Sequence, residues 1–441
     1  MSPRGQQTTL QERVQIRDLA AAGYSDPEIA AALARPLATV RKWRRIAQRP
    51  TRPDRTSHFG RHHTGALSTF PADLQAHIRH LRETHRGWGA TTIRIELQRD
   101  PAWRTQPLPS RARIAAFLKE AGLTRRYQKR RDPPQPSPTA ATAPHAAWQL
   151  DAQGAVTVAG IGTVSVVNVV DEVSRLKVES APIAGSQPTT ADYQAVLRRA
   201  FTSTGLPEQI SFDHGSAFYD NTTASPFPTL LHLWRIALGV LVRFTRKRRP
   251  TDHALVERTH QTMTQQALDG QTWPDLPTLW AGLDDRRAVL NTWLPTAALG
   301  DQAPLQAYPA AVHSGRPYRP EWEAELLGLQ RVDAYLAPQE WFRQTNCHGE
   351  FWLGQQRYNV GKRWGKTEVA IRYDPVTREI VCRPGSGAEE LRFAIKGLTV
   401  SALMGAVPPP QTLPTHQLVL PFPRDVWHEA PQGERLPAMA A

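Results

Sequence analysis

Only two cysteines, Cys347 and Cys382, occur in 441 residues. A disulfide framework is therefore excluded, and two buried free thiols in a reducing, cytosolic compartment are expected. No apolar run approaches the roughly 18–20 residues needed to span a bilayer. The opening Met1-Ser2-Pro3-Arg4-Gly5 also lacks the apolar core of a secretory leader. Acidic residues are the scarcer charge, with 40 Asp+Glu against 54 Lys+Arg, so the net charge is +14. Such an excess favours a polyanionic partner, because each neutralised phosphate releases condensed counterions. The length suggests three or four domains at roughly 100–200 residues each.

Three of the scarce acids stand in suggestive contexts. Asp151 ends the apolar stretch Trp148-Gln149-Leu150-Asp151, and Asp213 ends Ile210-Ser211-Phe212-Asp213. Glu257 lies in Asp252-His253-Ala254-Leu255-Val256-Glu257-Arg258, which reads as the start of a helix. Two strand-end aspartates and a helical glutamate can converge on a pair of hard divalent cations. Such a pair, about 3.5–4 Å apart, clamps both oxygens of an in-line phosphoryl transfer. Oxygen-only ligands favour Mg²⁺ or Mn²⁺ over zinc. Asp171 is a rival, but its setting after Val169-Val170 suits a hairpin turn. Asp252 suits a helix cap.

The spans around these acids divide into distinct units. Residues 8–48 read as three helices, with Ser25, Pro27 and Glu28 opening the second. Thr39, Arg41, Lys42, Arg44 and Arg45 lie on the exposed face of the third, the layout of a helix-turn-helix that enters the major groove. Residues 50–67 are a polar, basic connector. Residues 68–124 form a second all-α unit with the pattern of another helix-turn-helix, placing Arg111 and Arg113 near DNA. A basic, proline-rich linker at 125–144 carries Arg125, Arg126, Lys129 and Arg130, suited to tracking a phosphate backbone. Residues 145–300 alternate three antiparallel strands with later strand–helix pairs, the order of an RNase H-like α/β core. The run Arg246-Lys247-Arg248-Arg249 precedes the glutamate helix, and Arg258 follows Glu257; all are expected on the DNA side. Trp148 is expected in the core, and Trp352 and Trp364 are divided between core and DNA surface. Short strands over 340–395 suggest a small SH3-like β-barrel. Residues 401–441 read as a proline-rich tail.

Together these segments resemble the DDE transposases and integrases of the retroviral-integrase superfamily. The look is nearest to bacterial insertion-sequence transposases with an integrase core and a C-terminal barrel similar to that of Mu-like transposases. The resemblance rests on Trp148–Asp151, on Ser211-Phe212-Asp213-His214-Gly215-Ser216-Ala217-Phe218 and on Leu255–His260, and covers nearly the whole chain. It implies that Asp151, Asp213 and Glu257 are both catalytic and metal-binding, with two Mg²⁺ (or Mn²⁺) ions per site. It also implies double-stranded DNA as substrate, a homo-oligomer on DNA, and a bacterial cytoplasmic protein joined to the nucleoid when bound. An AAA+ ATPase that selects the target, docking on residues 407–423, is a further implied partner. Two departures stand out: His214 replaces the usual Asn after the second Asp, and the Asp213–Glu257 spacing is longer than the family's common one. The competing readings are a catalytically silent DNA-binding regulator and a nuclease for RNA–DNA hybrids.

Overall fold

The computed structural model describes residues 8–48, 65–124, 141–246, 250–385 and 389–405. The chain divides into two compact units, one of Met1–Glu83 with Gly89–Arg126 and the other of Thr84–Trp88 with Tyr127–Ala441. Among the described residues no helix is long and apolar enough to cross a membrane.

The first unit is helical. Its first three helices are α1 (Leu10–Ala21), α2 (Asp26–Ala32) and α3 (Leu37–Ala47). Thr9 and Glu12 form a capping box on α1, and Ser25 with Glu28 does the same for α2. Ile16, Ile29, Val40 and Trp43 form the core of these three. A second set comprises α4 (Ala72–Thr84), α5 (Ala90–Arg99) and α6 (Arg111–Glu120). Leu74 and Ile78 of α4, Ile93, Ile95 and Leu97 of α5, and Ile114 and Leu118 of α6 are buried.

The second unit is built on a mixed five-stranded sheet. Its strands are β1 (Ala147–Val158), β2 (Gly162–Asp171), β3 (Lys177–Ala184), β4 (Gln209–Phe212) and β5 (Leu241–Phe244), in the order β3-β2-β1-β4-β5. β1, β2 and β3 pair antiparallel, whereas β4 runs parallel to both β1 and β5. Parallel neighbours need a crossover. α7 (Thr190–Thr204) supplies one between β3 and β4, and α8 (Leu230–Ala237) another between β4 and β5. This is the antiparallel-then-alternating succession expected of residues 145–300.

Alternation along the strands separates two cores. Trp148, Leu150, Val167, Val169, Ile210 and Phe212 face a large cluster shared with α7 and α8. Val164 and Val166 point the other way, onto Met263, Leu279 and Leu283. Those three belong to α9 (Ala254–Met263) and α10 (Leu276–Thr292). A π-helical turn, Thr264–Leu268, follows α9 directly.

Beyond α10 come the short α11 (Pro304–Ala307) and α12 (Glu323–Leu326), then α13 (Leu329–Leu336). Six strands follow: β6 (Glu340–Gln344), β7 (Glu350–Leu353), β8 (Gln356–Asn359), β9 (Glu368–Asp374), β10 (Glu379–Pro384) and β11 (Leu391–Ala394). They form a four-stranded sheet, β11-β10-β9-β6, and a β7-β8 hairpin. The last described helix is α14 (Val400–Met404). Trp341, Phe351, Ile371 and Leu403 lie in the same hydrophobic cluster as Trp148 and Phe201. Phe227 joins the two regions, its ring 4.9 Å from that of Trp341.

Candidate active site

Asp151 and Asp213 are brought together by strand register. Ala147, Trp148 and Gln149 of β1 lie opposite Gln209, Ile210 and Ser211 of β4. Continuing that parallel register by two residues sets Asp151 beside Asp213, on strands about 4.8 Å apart. Parity orients the Asp151 side chain. Trp148, Leu150, Ile210 and Phe212 face the large core, so Gln149, Asp151 and Ser211 face the side covered by α9, and Asp213 follows directly at the end of β4. Glu257, in the first turn of α9, is exposed.

Electrostatics links the three acids. Burial pushes the Asp151 carboxyl up to about 6, the Ala152 backbone N–H at 2.8 Å pulls it back, and the charges of Asp213 and Glu257 add to the rise. Tyr193 of α7 is raised by burial and then by Asp151 and Asp213. Among the described residues, no three His, Cys, Asp or Glu side chains gather closely enough to hold a metal ion. The three carboxylates are thus coupled by charge without forming a closed ligand set.

Several neighbours fix the aspartates. Gly215 N donates to Asp213 Oδ1 at 2.8 Å, and a Cβ at Gly215 would stand 3.0 Å from that oxygen. His214 packs against Tyr219 and Phe244, with ring centroids at 4.9 and 5.6 Å, and its carbonyl accepts from Asn221 Nδ2 at 2.6 Å. His260 Nδ1 is 4.0 Å from Asp151 Oδ2. Burial drives that imidazole down to about 4, a hydrogen bond with the Asp151 backbone works against the fall, and His253 adds to it. His260 is therefore neutral at neutral pH. Its place beside Asp151 follows from the 3.6-residue helical period, because it sits one turn after Glu257.

Asp171 makes the turn expected of it. It is fully buried, accepting from His145 N through Oδ1 and from Ser174 N and Oγ through Oδ2. Asp252 does not cap α9, contrary to expectation. Its carboxylate accepts from Arg246 N at 3.1 Å, Nε at 2.9 Å and Nη2 at 2.8 Å, while His253 occupies the cap position without a side-chain hydrogen bond. A guanidinium six residues upstream offers a charged, two-pronged partner that outcompetes a single backbone N–H. Of the two thiols, Cys382 is buried, whereas Cys347 is exposed rather than buried as expected; both are free.

The basic residues fall into three groups. Arg41, Lys42, Arg45, Arg111, Arg113 and Arg258 are exposed. Thr39 is half-buried, and Arg44 is paired with Asp26 at 2.7 Å, a carboxylate that also lies 3.7 Å from Arg41. Arg246 is engaged by Asp252, as above. Arg125, Arg126, Lys129, Arg130, Lys247, Arg248 and Arg249 lie outside the described residues. Trp148 is fully buried, Trp352 is 52% exposed, and Trp364 is half-buried.

No family model matches the chain. Among solved structures it is similar in part to three from retroviruses. One is a simian T-cell lymphotropic virus intasome in complex with a PP2A regulatory subunit, at 14% identity, covering 72% of this chain and 96% of that one, TM-score 0.32. Another is the HTLV-2 integrase catalytic core with magnesium, at 18% identity, covering 37% and 97%, TM-score 0.28. A third is the BIV integrase catalytic core, at 15% identity, covering 38% and 95%, TM-score 0.27. At scores this low the likeness decides nothing about activity.

Proposed function

We propose that this chain is a DNA transposase of the integrase type, which binds transposon ends, cleaves at the 3′ end and joins the freed 3′-OH to target DNA. The observation that carries the reading is the convergence on Asp151. A half-buried carboxyl on β1 is raised first by burial and then by the charges of two further acids, Asp213 just past β4 and Glu257 on α9. Like charges held together in a partly dry setting are an electrostatic excess that a cation relieves. The donors are all oxygen, which suits Mg²⁺ or Mn²⁺. Asp151, Asp213 and Glu257 would hold the metal, two ions per site. When bound, such ions supply charge neutralisation at the attacking and leaving oxygens.

The chain's own residues do the rest. Ala152 N and Gly215 N each fix one oxygen of Asp151 and Asp213, respectively. Arg258, exposed beside Glu257, approaches the DNA backbone. Arg41, Lys42 and Arg45 of α3 and Arg111 and Arg113 of α6 read or track the transposon end, joined by the basic runs 125–130 and 246–249. The active form is a homo-oligomer on double-stranded DNA. The ATPase partner rests on the resemblance of the tail alone, because residues 406–441 lie outside the described residues.

A catalytically silent DNA-binding regulator with the integrase fold is the competing reading. A strand-transfer assay in Mg²⁺ or Mn²⁺, with DNA ends from the flanks of the encoding locus, separates the two. The transposase yields joined products that Asp213→Asn abolishes while end binding persists. A wild-type protein that binds ends and makes no product would support the regulator, and full strand transfer by Asp213→Asn would sink the acidic triad.

A further inference from the structure

We infer that Gln149 and Gln153 are positioning residues that hold α9 in register on β1 and thereby set Glu257 against Asp151. The inference rests on reading Asp151, Asp213 and Glu257 as a metal-binding set. Three polar side chains, at positions 149, 151 and 153, leave the same face of β1. Two meet successive turns of α9, and the third meets the first residue of the π turn that follows it. Gln149 Oε1 accepts from Val256 N at 3.2 Å. Asp151 Oδ2 lies 4.0 Å from His260 Nδ1. Gln153 Nε2 donates to Thr264 Oγ1 at 2.6 Å.

The spacing of these rungs has a simple cause. Two residues of strand advance about 6.6 Å and four residues of helix about 6 Å, so the two ladders stay in step over three rungs. The helix changes period at the third rung and the strand just beyond it. β1 shifts register between Gln153 and Val156, and α9 gives way to the π turn at Thr264.

Gln149 also replaces the missing cap. Val256 N is one of the first-turn donors that a helix leaves unpaired. With Asp252 bound to Arg246, the cap residue His253 does not accept from that turn through its side chain. Gln149 does so from the strand, while its Nε2 donates to Asp252 O at 3.1 Å and to Glu172 Oε1 at 3.0 Å. One buried amide thus ties the entry and first turn of α9 to the strand bearing Asp151, two residues away. An uncharged amide does this without adding a charge to a site already crowded with carboxylates.

The test compares full-length wild type, Gln149→Met, Gln153→Met and Asp213→Asn. The readouts are Mn²⁺ binding, by electron paramagnetic resonance and calorimetry, and amide exchange across α9. Methionine keeps the volume and removes the hydrogen bonds. Removing such a supporting hydrogen bond costs roughly 10–100-fold in metal affinity, so Gln149→Met should weaken Mn²⁺ binding by at least the lower figure and Gln153→Met by less. Exchange at Val256 and its neighbours should rise in Gln149→Met without metal. A purely structural role would lower the fraction of competent protein, and hence the stoichiometry, while leaving the affinity of the folded fraction intact. Unchanged affinity in both methionine variants would overturn the inference. Should Gln149→Met fail to fold, Gln153→Met, at a partly exposed position, carries the comparison. A wild-type protein that takes up no Mn²⁺ overturns the metal reading itself, a failure told apart because it occurs before any substitution.

Discussion

Removing the Glu323 carboxylate should cost the second unit more stability than most single substitutions. Glu323 opens α12 and is fully buried. Its Oε2 and Oε1 accept from Arg198 Nε and Nη2, both at 2.7 Å, Oε1 also accepts from Trp234 Nε1 at 2.8 Å, and the Tyr318 hydroxyl donates to Oε2. Glu323→Ala strands a guanidinium that is only 4% exposed, whose Nη2 would keep the Met404 carbonyl as an acceptor. Breaking a buried pair in this way costs about 3–5 kcal/mol. At about 2 °C per kcal/mol for a large unit, the melting temperature should fall by about 6–10 °C. Urea unfolding followed by tryptophan fluorescence should show a lower midpoint at an unchanged slope. The double variant Arg198→Met/Glu323→Met should recover part of the loss, because it removes both charges together.

The same carboxylate predicts a pH dependence. Burial opposes its ionisation, but the hydrogen bonds from Arg198, Tyr318 and Trp234 outweigh that and hold it below the ordinary 4.5. A depressed folded value means the stabilisation is complete above 4.5 and is lost as pH falls through the folded value. Glu323→Ala should therefore flatten the acid limb of the stability curve. A melting temperature equal to wild type, or an unchanged acid limb, would refute the reasoning.

Three further outcomes are expected. Gly215→Ala brings a Cβ to 3.0 Å from Asp213 Oδ1; strand transfer should fall roughly tenfold at an unchanged melting temperature, and full activity would show that this oxygen is free to move. Gly349→Ala meets Gly361 O at 2.0 Å from a backbone φ of +75°, so denaturation should show a loss of at least about 1–3 kcal/mol. Lys42→Ala with Arg45→Ala should lower the salt slope of end binding by about one unit for each phosphate no longer neutralised, measured by fluorescence anisotropy; identical slopes would remove α3 from the interface.

The local parts of this fold are legible in the sequence, and its long-range pairings are not. Alternation at Trp148–Asp151 and Ile210–Asp213 identifies two strands and the outlook of Asp151, because period-two burial is written in neighbouring residues. The apolar pattern suggests that β1 ends near Asp151, whereas the strand runs to Val158. Gln153-Gly154 breaks the apolar alternation, and pairing with β2 through a bulge carries the strand past it. The helix start at Ser25 is legible for the same local reason. Asp252 misleads because its partner Arg246 lies in a run that reads as wholly free charge. Arg44 likewise reads as a free cation, since its pairing with Asp26 crosses between helices. Gln149 gives no signal at all. A glutamine in an apolar strand acquires meaning only once the helix it caps, over 100 residues later, is packed against it.

The hydrophobic cluster that runs from Trp148 through Phe227 to Trp341 and Leu403 bears on how this protein can be dissected. A fragment cut after residue 300 would keep the sheet but expose the faces of Phe227, Trp234 and Phe201 now covered by the later helices and strands. Such a fragment should aggregate or demand a solubilising partner, and limited proteolysis should not release it from the intact chain. Any fragment meant for study of the chemistry must therefore keep the stretch from Trp148 to Leu403 that shares this cluster.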